Sequence, residues 1–307
     1  LGLDGLRTMA APAFADAAAP TAAPTRAYAP FREVPTDAIV HHLPERLSYS
    51  PMHIALDSGK SIALPRRDLF DVRFQLINDD DDGAGEAVAN SESDLVPGVY
   101  EGGLKTWECA ADLVAQLDRS EVPGTRAIEV GCGTAIPSVY LLQRLLRESS
   151  SGAIYLYDYN EEVLSLVVYP NLLLAWHFHS QELDAPGELD IDDELVSAFE
   201  TDLARRGIAL RFFAGGWDSY ALDDKFDVVL SSETVYAEET LPSLVALLHR
   251  AAHPSSLCLV ATKVMYFGVG GGLAAFEHAV RQSGGSVDTV RASTAGVARM
   301  VVRVTWP

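Results

Sequence analysis

The 307-residue sequence has few cysteines, few basic residues and no long apolar run. Three cysteines without metal-ligand spacing favour a reducing compartment and argue against a disulfide framework. The formal net charge of −20 argues against direct nucleic-acid binding, which needs lysine and arginine to neutralise phosphates. It suits a basic protein partner, although an acidic surface that only aids solubility explains the charge equally well.

The sequence also shows no pattern typical of a membrane span or of a secretory signal. No run approaches the roughly 18 apolar residues of a membrane span, and the first residues lack a basic segment leading into an apolar one. We therefore expect a monomeric protein of the cytoplasm, the nucleus or both, without membrane contact.

The composition divides the chain into three parts. Residues 1–30 are rich in alanine and proline and predict a disordered tail. Residues 31–93 form an N-terminal extension in which residues 31–75 predict a hairpin or an extended strap. Its acidic loop, from Ile77 to Asp94, contains four consecutive aspartates. Residues 94–307 carry the main domain.

Alternating strands and helices characterise the main domain and predict an α/β fold, a mainly parallel sheet with helices on both faces. Seven strands are predicted, of which the last two are close together and the last is antiparallel. Ligands of such sheets bind at the carboxyl ends of the strands. The predicted strands cover residues 126–130, 153–158, 208–215, 226–232, 257–263, 286–292 and 298–306.

Three local patterns give more specific expectations. The spacing of Leu104, Trp107, Ala111 and Val114 predicts one apolar helix face. Pro170 is expected to interrupt the following long helical stretch, EEVLSLVVYPNLLLAWHF. The acidic residues 180–193 predict a loop.

A glycine turn follows the first predicted strand. Gly131 and Gly133 let the backbone turn tightly and approach a ligand. Asp158 ends the next strand, where an acidic residue binds ribose hydroxyls in adenosine-type sites. Strand, turn, helix and acid together predict an adenosine-type cofactor; the alternative is an ordinary glycine turn with a surface aspartate.

The composition of the turn distinguishes between two cofactors. A dinucleotide fingerprint, G-x-G-x-x-G, needs a third glycine at the position where this sequence has Ile136, directly before Pro137. Glu129 precedes the first glycine and would organise the turn or meet an ammonium group, which S-adenosylmethionine has and a pyrophosphate lacks. These differences, with the closing pair of strands, favour S-adenosyl-L-methionine over NAD.

Five stretches together resemble the histidine protein methyltransferase family, within the seven-strand S-adenosylmethionine-dependent methyltransferases. YEGGLKTWE and YFGVGGG are the more specific parts, and the match runs over residues 94–307. The resemblance implies a seven-stranded, Rossmann-like class I methyltransferase sheet. The stretches are DLVPGVYEGGLKTWEC (94–109), EVGCGTAIP (129–137), YDYN (157–160), LSSETVY (230–236) and TKVMYFGVGGG (262–272).

The resemblance also implies the roles of individual residues, with no metal among the ligands. Glu233 and Tyr236 would hold the acceptor, although Glu233 is alternatively a carboxylate at a helix start. The cofactor would be bound by Glu101, Gly102, Gly103, Lys105, Trp107, Glu129, Gly131, Cys132, Gly133, Asp158, Asn160, Gly216, Trp217 and Ser232.

Several of these roles have plainer alternatives. Lys105 would neutralise the cofactor carboxylate or lie solvated on a helix. Trp107 would wall the pocket or only pack in the core, and Trp217 would flank the adenine or only be buried. Asn160 and Asn171 would shape the ribose or acceptor side, or cap helices.

The resemblance implies a protein-histidine N-methyltransferase that acts on a basic large-subunit ribosomal protein of the L3 type. A histidine, with a pKa of about 6.5, is largely neutral near pH 7 and needs no strong base, but its other ring N–H must be fixed. Glu233 or a nearby carbonyl is suited to accept that hydrogen bond. The alternatives are a lysine methyltransferase of the same fold, a non-catalytic cofactor-binding chaperone of a ribosomal protein, and more remotely an NAD oxidoreductase.

Overall fold

The structure, a computed structural model, describes residues 28–78, 102–266, 270–294 and 296–307. Nearly all of the predicted tail lies outside these ranges. Of the predicted acidic loop, Ile77 and Asn78 end a helix and the remaining residues lie outside the described ranges.

Strands and helices alternate through the main domain, as the sequence predicts. The strands are β1 (Arg32–Val34), β2 (Arg46–Ala55), β3 (Ser61–Arg67), β4 (Arg126–Val130), β5 (Gly152–Asp158), β6 (Gly187–Asp190), β7 (Ile208–Ala214), β8 (Phe226–Ser232), β9 (Ala252–Lys263), β10 (Ser286–Ser293) and β11 (Arg299–Thr305). The helices are α1 (Thr36–Val40), α2 (Leu69–Asn78), α3 (Glu108–Arg119), α4 (Ile136–Glu148), α5 (Glu161–Val163), α6 (Tyr169–His177), α7 (Asp193–Arg206), α8 (Leu241–Ala251) and α9 (Leu273–Gln282).

The central sheet has the strand order β1-β7-β5-β4-β8-β9-β11-β10. Strands β7, β5, β4, β8 and β9 are parallel, whereas β11 and β10 close one edge as an antiparallel pair. The predicted α/β class is therefore confirmed. The chain runs outward from β4 to β5 and β7 and then returns to β8, so the direction of winding reverses between β4 and β8, where sheets of this kind form a ligand crevice.

The strand count differs from the predicted seven, because β1 pairs antiparallel with β7 and adds an eighth strand to this sheet. It is only three residues long and lies between Pro30 and Pro35, too short to show the alternation that identifies a strand in sequence.

Successive side chains of β4 lie on opposite faces of the sheet and belong to two separate hydrophobic cores. Ala127 packs with α3, α4, α6 and α7, whereas Ile128 and Val130 pack with α8 and α9 on the opposite face. Both faces of the sheet are therefore covered, which explains why its parallel strands read as nearly continuous apolar runs.

The extension contributes β2 and β3 to a second sheet, of order β3-β2-β6, in which β6 comes from the main domain and both pairs are antiparallel. The region thus contains the predicted hairpin as well as the short strand β1. The predicted loop at 180–193 is wrong in part, because β6 lies within it. Its acidic residues stay at the surface, where Arg46 donates to Asp190 across 2.6 Å and lies 3.4 Å from Glu188, so an acidic composition is compatible with a strand here.

Two helix predictions need correction. Helix α3 begins at Glu108, so Leu104 and Trp107 precede it instead of sharing its apolar face. Pro170 does not interrupt the long helical stretch. Residues Leu164–Val168 form a π-helical segment between α5 and α6, and Pro170 lies in the first turn of α6. The wider turn accommodates a residue that has no N–H to donate.

Asn171 ties the extension to the glycine turn. Its side-chain oxygen accepts from the backbone N–H of Arg67 at 2.7 Å, and its Nδ2 donates to the carbonyl of Thr134 at 2.8 Å. The side chain is fully buried within α6, so the helix-cap alternative is wrong for this residue. Within the described residues, no helix combines the length and apolarity needed to cross a membrane.

We expect Asn171→Leu to lower the free energy of unfolding by about 2–4 kcal/mol, because it leaves a buried N–H and a buried carbonyl without partners. Urea unfolding followed by circular dichroism measures the loss. The matched control is Asn78→Leu at an exposed position, with an expected change within about 0.5 kcal/mol. An Asn171 variant as stable as the wild type would contradict this link.

Candidate active site

A cavity of about 480 Å³ opens at the carboxyl ends of β4, β5 and β8. Most residues predicted to bind the cofactor or acceptor line it: Gly102, Gly103, Lys105, Trp107, Glu129, Gly131, Cys132, Gly133, Asp158, Trp217, Ser232, Glu233 and Tyr236. Asn160 and Gly216 are not among the lining residues. Glu101 lies outside the described residues.

Two glycine turns approach each other at the base of the cavity. Gly131 and Gly133 have φ angles of 62° and 49°. A Cβ on Gly131 would lie 2.5 Å from the Thr234 methyl, and one on Gly133 would lie 3.4 Å from the Cα of Gly103. Ala135 also has a left-handed φ, 53°, a backbone conformation that favours glycine. The close approach therefore restricts which residues this turn tolerates.

Asp158 and Asn160 hold the two turns together. One Asp158 oxygen accepts from the Gly133 N–H at 2.8 Å, and the other accepts from the Asn160 N–H at 3.1 Å. Asn160 Nδ2 donates to the carbonyl of Gly102 at 2.8 Å. Asn160 occupies the N-cap position of α5, as the cap alternative predicts, but its side chain makes no capping hydrogen bond there. Asn160 therefore fixes the backbone of the cavity wall at Gly102 without lining the cavity itself.

Glu129 organises the start of α4. One carboxyl oxygen accepts from both the backbone N–H, at 2.9 Å, and the hydroxyl of Ser138. The side chain is 1% exposed, and this burial raises its pKa from 4.5 to about 8.

We expect Glu129 to make the stability of the unliganded chain depend on pH. Because its pKa is higher in the folded than in the unfolded chain, only the folded chain keeps the proton between about pH 4.5 and 8, and stability falls as the pH rises through this window. Glu129→Gln preserves an acceptor for Ser138 and removes this contribution. Urea unfolding of both proteins at pH 5, 6, 7 and 8 measures the difference, and parallel curves would contradict the expectation.

Glu233 projects into the cavity from the turn after β8. The turn gives it a left-handed φ of 59°, and its backbone N–H donates to the Ala261 carbonyl at 2.9 Å. Its carboxylate contacts the Cys109 N–H at 3.4 Å, in the first turn of α3. Glu233 is thus a helix-start carboxylate, but for α3 and not for the helix that follows it in sequence.

Lys263 and Tyr266 are site residues that the sequence reasoning missed. Tyr266 donates its hydroxyl to Glu233 at 2.8 Å, and Lys263 Nζ lies 3.4 Å from the same carboxylate. Burial raises the pKa of Tyr266 well above its usual range, so the phenol remains a donor. Both belong to the stretch TKVMYFGVGGG, whose resemblance to the family was the available signal.

The cavity mouth has an apolar rim. Met265 and Val297 line the mouth and are 57% and 46% exposed. Trp107 is 38% exposed, so core packing does not explain it, and Lys263 Nζ lies 4.4 Å from its ring centroid. Lys105 Nζ lies 5.4 Å from the same ring; its contact with a cofactor carboxylate stays a prediction. Among the described lining residues, exposed apolar side chains therefore surround part of the mouth.

Two buried polar atoms test the fit of an adenosyl cofactor. Trp217 Nε1 and Ser232 Oγ have no hydrogen-bond partner within the described part of the chain, and both residues line the cavity. Buried polar atoms of this kind are normally satisfied, so they fit a polar ligand. The Trp217 ring also lies near the turn, 3.6 Å from the position of a Gly131 Cβ, as an adenine wall requires. The residues present fit S-adenosyl-L-methionine.

No family model matches the chain. Histidine protein methyltransferase 1 of Schizosaccharomyces pombe is 34% identical over 293 residues, covering 88% of this chain and 84% of that protein. The Saccharomyces cerevisiae protein of the same name is 33% identical over 254 residues, covering 70% and 67%. The chain belongs to the histidine protein methyltransferase 1 family.

The chain is therefore an S-adenosyl-L-methionine-dependent protein-histidine methyltransferase, and the predicted resemblance, enzyme class and cofactor are confirmed. Membership in this family favours histidine over the lysine alternative and leaves the NAD alternative without support. Among solved structures, a magnesium protoporphyrin IX methyltransferase from Synechocystis aligns over 65% of this methyltransferase and 79% of that chain, at 13% identity and a TM-score of 0.40. That likeness is too remote to add to the assignment.

Proposed function

We propose that this methyltransferase modifies a histidine of a basic large-subunit ribosomal protein of the L3 type, in the cytoplasm or the nucleus. The net charge of −20 supports a basic partner. The resemblance over residues 94–307 supports the ribosomal class of substrate. The exposed apolar side chains at the mouth, Met265 and Val297, favour a protein acceptor, whose surface would contact them, over a small molecule that the cavity would enclose.

Cofactor positioning falls to the two glycine turns and their supports. Asp158 faces the cavity at the end of β5 and would bind ribose hydroxyls, while Trp217 and Ser232 would donate to the adenosine side. Bound S-adenosyl-L-methionine supplies an electrophilic methyl group to an in-line displacement, so the protein contributes mainly orientation.

Acceptor positioning falls to Glu233, and this carboxylate is the observation that carries the proposal. It is only 9% exposed and is fixed by Tyr266 and Lys263. A carboxylate oxygen has more than one lone pair, so Glu233 retains capacity to accept the second ring N–H of a histidine. That hydrogen bond selects which ring nitrogen faces the methyl group and stabilises the imidazolium that forms.

The direct test transfers label from S-adenosyl-L-methionine to ribosomal fractions and identifies the labelled residue by mass spectrometry. We expect one labelled histidine in a large-subunit protein. We expect no label with Asp158→Ala, which removes the carboxylate predicted to bind the ribose and frees the Gly133 N–H. Label on lysine would overturn the acceptor. A wild-type chain that binds cofactor and labels nothing would favour the chaperone alternative.

We expect Glu233→Gln to lower kcat about 100-fold, since the side chain keeps its size but loses the charge that stabilises the imidazolium. Binding of S-adenosylhomocysteine, measured by calorimetry, should change less than threefold. Glu239→Gln is the matched control, because Glu239 is exposed a few residues further along. If both variants retain wild-type kcat, Glu233 does not position the acceptor.

A further inference from the structure

Residues 28–34, here called the N-terminal strap, cross two loops that line the cofactor cavity. One loop follows β5 and contains Tyr159, and the other follows β7 and contains Trp217. The strap consists of β1 and the four residues before it, so it spans the end of the predicted tail and the start of the extension. The methyltransferase activity assigns no role to either part.

The strap holds the Trp217 loop by backbone hydrogen bonds. The Gly216 N–H donates to the Ala29 carbonyl at 2.7 Å, and the Phe31 N–H donates to Ser219 Oγ at 2.8 Å. The strap and the loop are in such close contact that a Cβ on Gly216 would lie 2.6 Å from the Cβ of Tyr28. This fit explains why a glycine precedes Trp217, even though Gly216 itself is not among the cavity-lining residues.

Phe31 forms the apolar anchor of the strap. Its ring stacks on Phe213 with centroids 5.4 Å apart and meets the edges of Tyr157, at 5.2 Å, and Tyr220, at 5.3 Å. Tyr157 in turn donates its hydroxyl to the Gly216 carbonyl at 2.8 Å. Ring contacts of this geometry add about 0.5–1.5 kcal/mol each beyond area burial. Gly216 is therefore held through its N–H by the strap and through its carbonyl by Tyr157, which packs against Phe31.

The strap also reaches the other loop. The rings of Tyr28 and Tyr159 are 5.9 Å apart in an edge-to-face arrangement, and Arg32 forms an ion pair with Glu161 at the start of α5. Tyr159 directly follows Asp158, which holds the glycine turn. One short segment thus bridges the two loops on either side of the predicted adenosine position.

We propose that the N-terminal strap is a positioning element for the cofactor site, in which Phe31 and Ser219 fix the Trp217 loop and thereby set the affinity for the adenosyl group. Neither residue lines the cavity. Both act through Gly216 and its neighbours. The proposal does not depend on the identity of the acceptor protein.

The experiment measures the Kd of S-adenosylhomocysteine by calorimetry on the full chain, together with the melting temperature of the unliganded protein. Ser219→Ala removes both the acceptor of the Phe31 N–H and the donor to the Gly216 carbonyl, and we expect the Kd to rise about fivefold. Ser219→Thr keeps a hydroxyl and should restore the wild-type Kd. Phe31→Ala should raise the Kd about tenfold or more.

The matched control is Glu33→Gln, which breaks the exposed pair between Glu33 and Arg211 on the same strap without touching the Trp217 loop. Its Kd should stay within twofold of the wild type. If Phe31→Ala fails to fold, the Ser219 pair still decides the question. A lower melting temperature with an unchanged Kd would overturn the proposal and leave the strap as edge cover for the sheet. Failure to label a ribosomal protein would leave this Kd comparison unaffected.

Discussion

The approach of two glycine turns is the constraint on which the site depends. Gly103 and Gly133 pass so close that a Cβ on either would lie 3.4 Å from the Cα of the other, so the turn before α3 packs directly against the turn after β4. Backbone N–H and carbonyl groups that become buried where the turns meet need hydrogen-bond partners, because a buried polar group without one is costly. Asp158 and Asn160 satisfy two of them, and Asn171 reaches from α6 to a third. The polar residues around the turns are thus a consequence of their proximity.

Two of the carboxyl groups that line the cavity, those of Glu129 and Glu233, differ in their surroundings. Glu129 accepts from a single serine, and burial, with a smaller contribution from the charge of Asp158, raises its pKa to about 8. Glu233 has a lysine 3.4 Å away, a phenol that donates to it and the first turn of a helix beside it. One carboxyl group stabilises the architecture of the turn, whereas the other is arranged to face a substrate. The division resembles sites in which environment separates the roles of two acids.

Much of the parallel sheet and the glycine turn could be predicted, because buried strands and tight turns leave local patterns in sequence. The long-range partners could not. Lys263 ends β9 and lies near Glu233 because β9 pairs with β8. No local spacing in the sequence predicts that contact. Strands β1 and β6 are too short for periodicity. Trp107 fits an apolar helix pattern, yet the helix begins one residue later, so the ring is partly exposed at the mouth.

The pairing of the extension has a consequence for synthesis. Strand β2 ends at Ala55, whereas its partner β6 begins at Gly187, and β1 pairs with β7, which begins at Ile208. As translation proceeds, these early strands leave the exit tunnel long before their partners exist. Non-local pairing of this kind is slow and leaves strand edges open to other chains. Strands β1 and β2 therefore wait longer for these partners than the later strands of the described chain do, and β2 is paired through the β2–β3 hairpin alone until β6 has emerged.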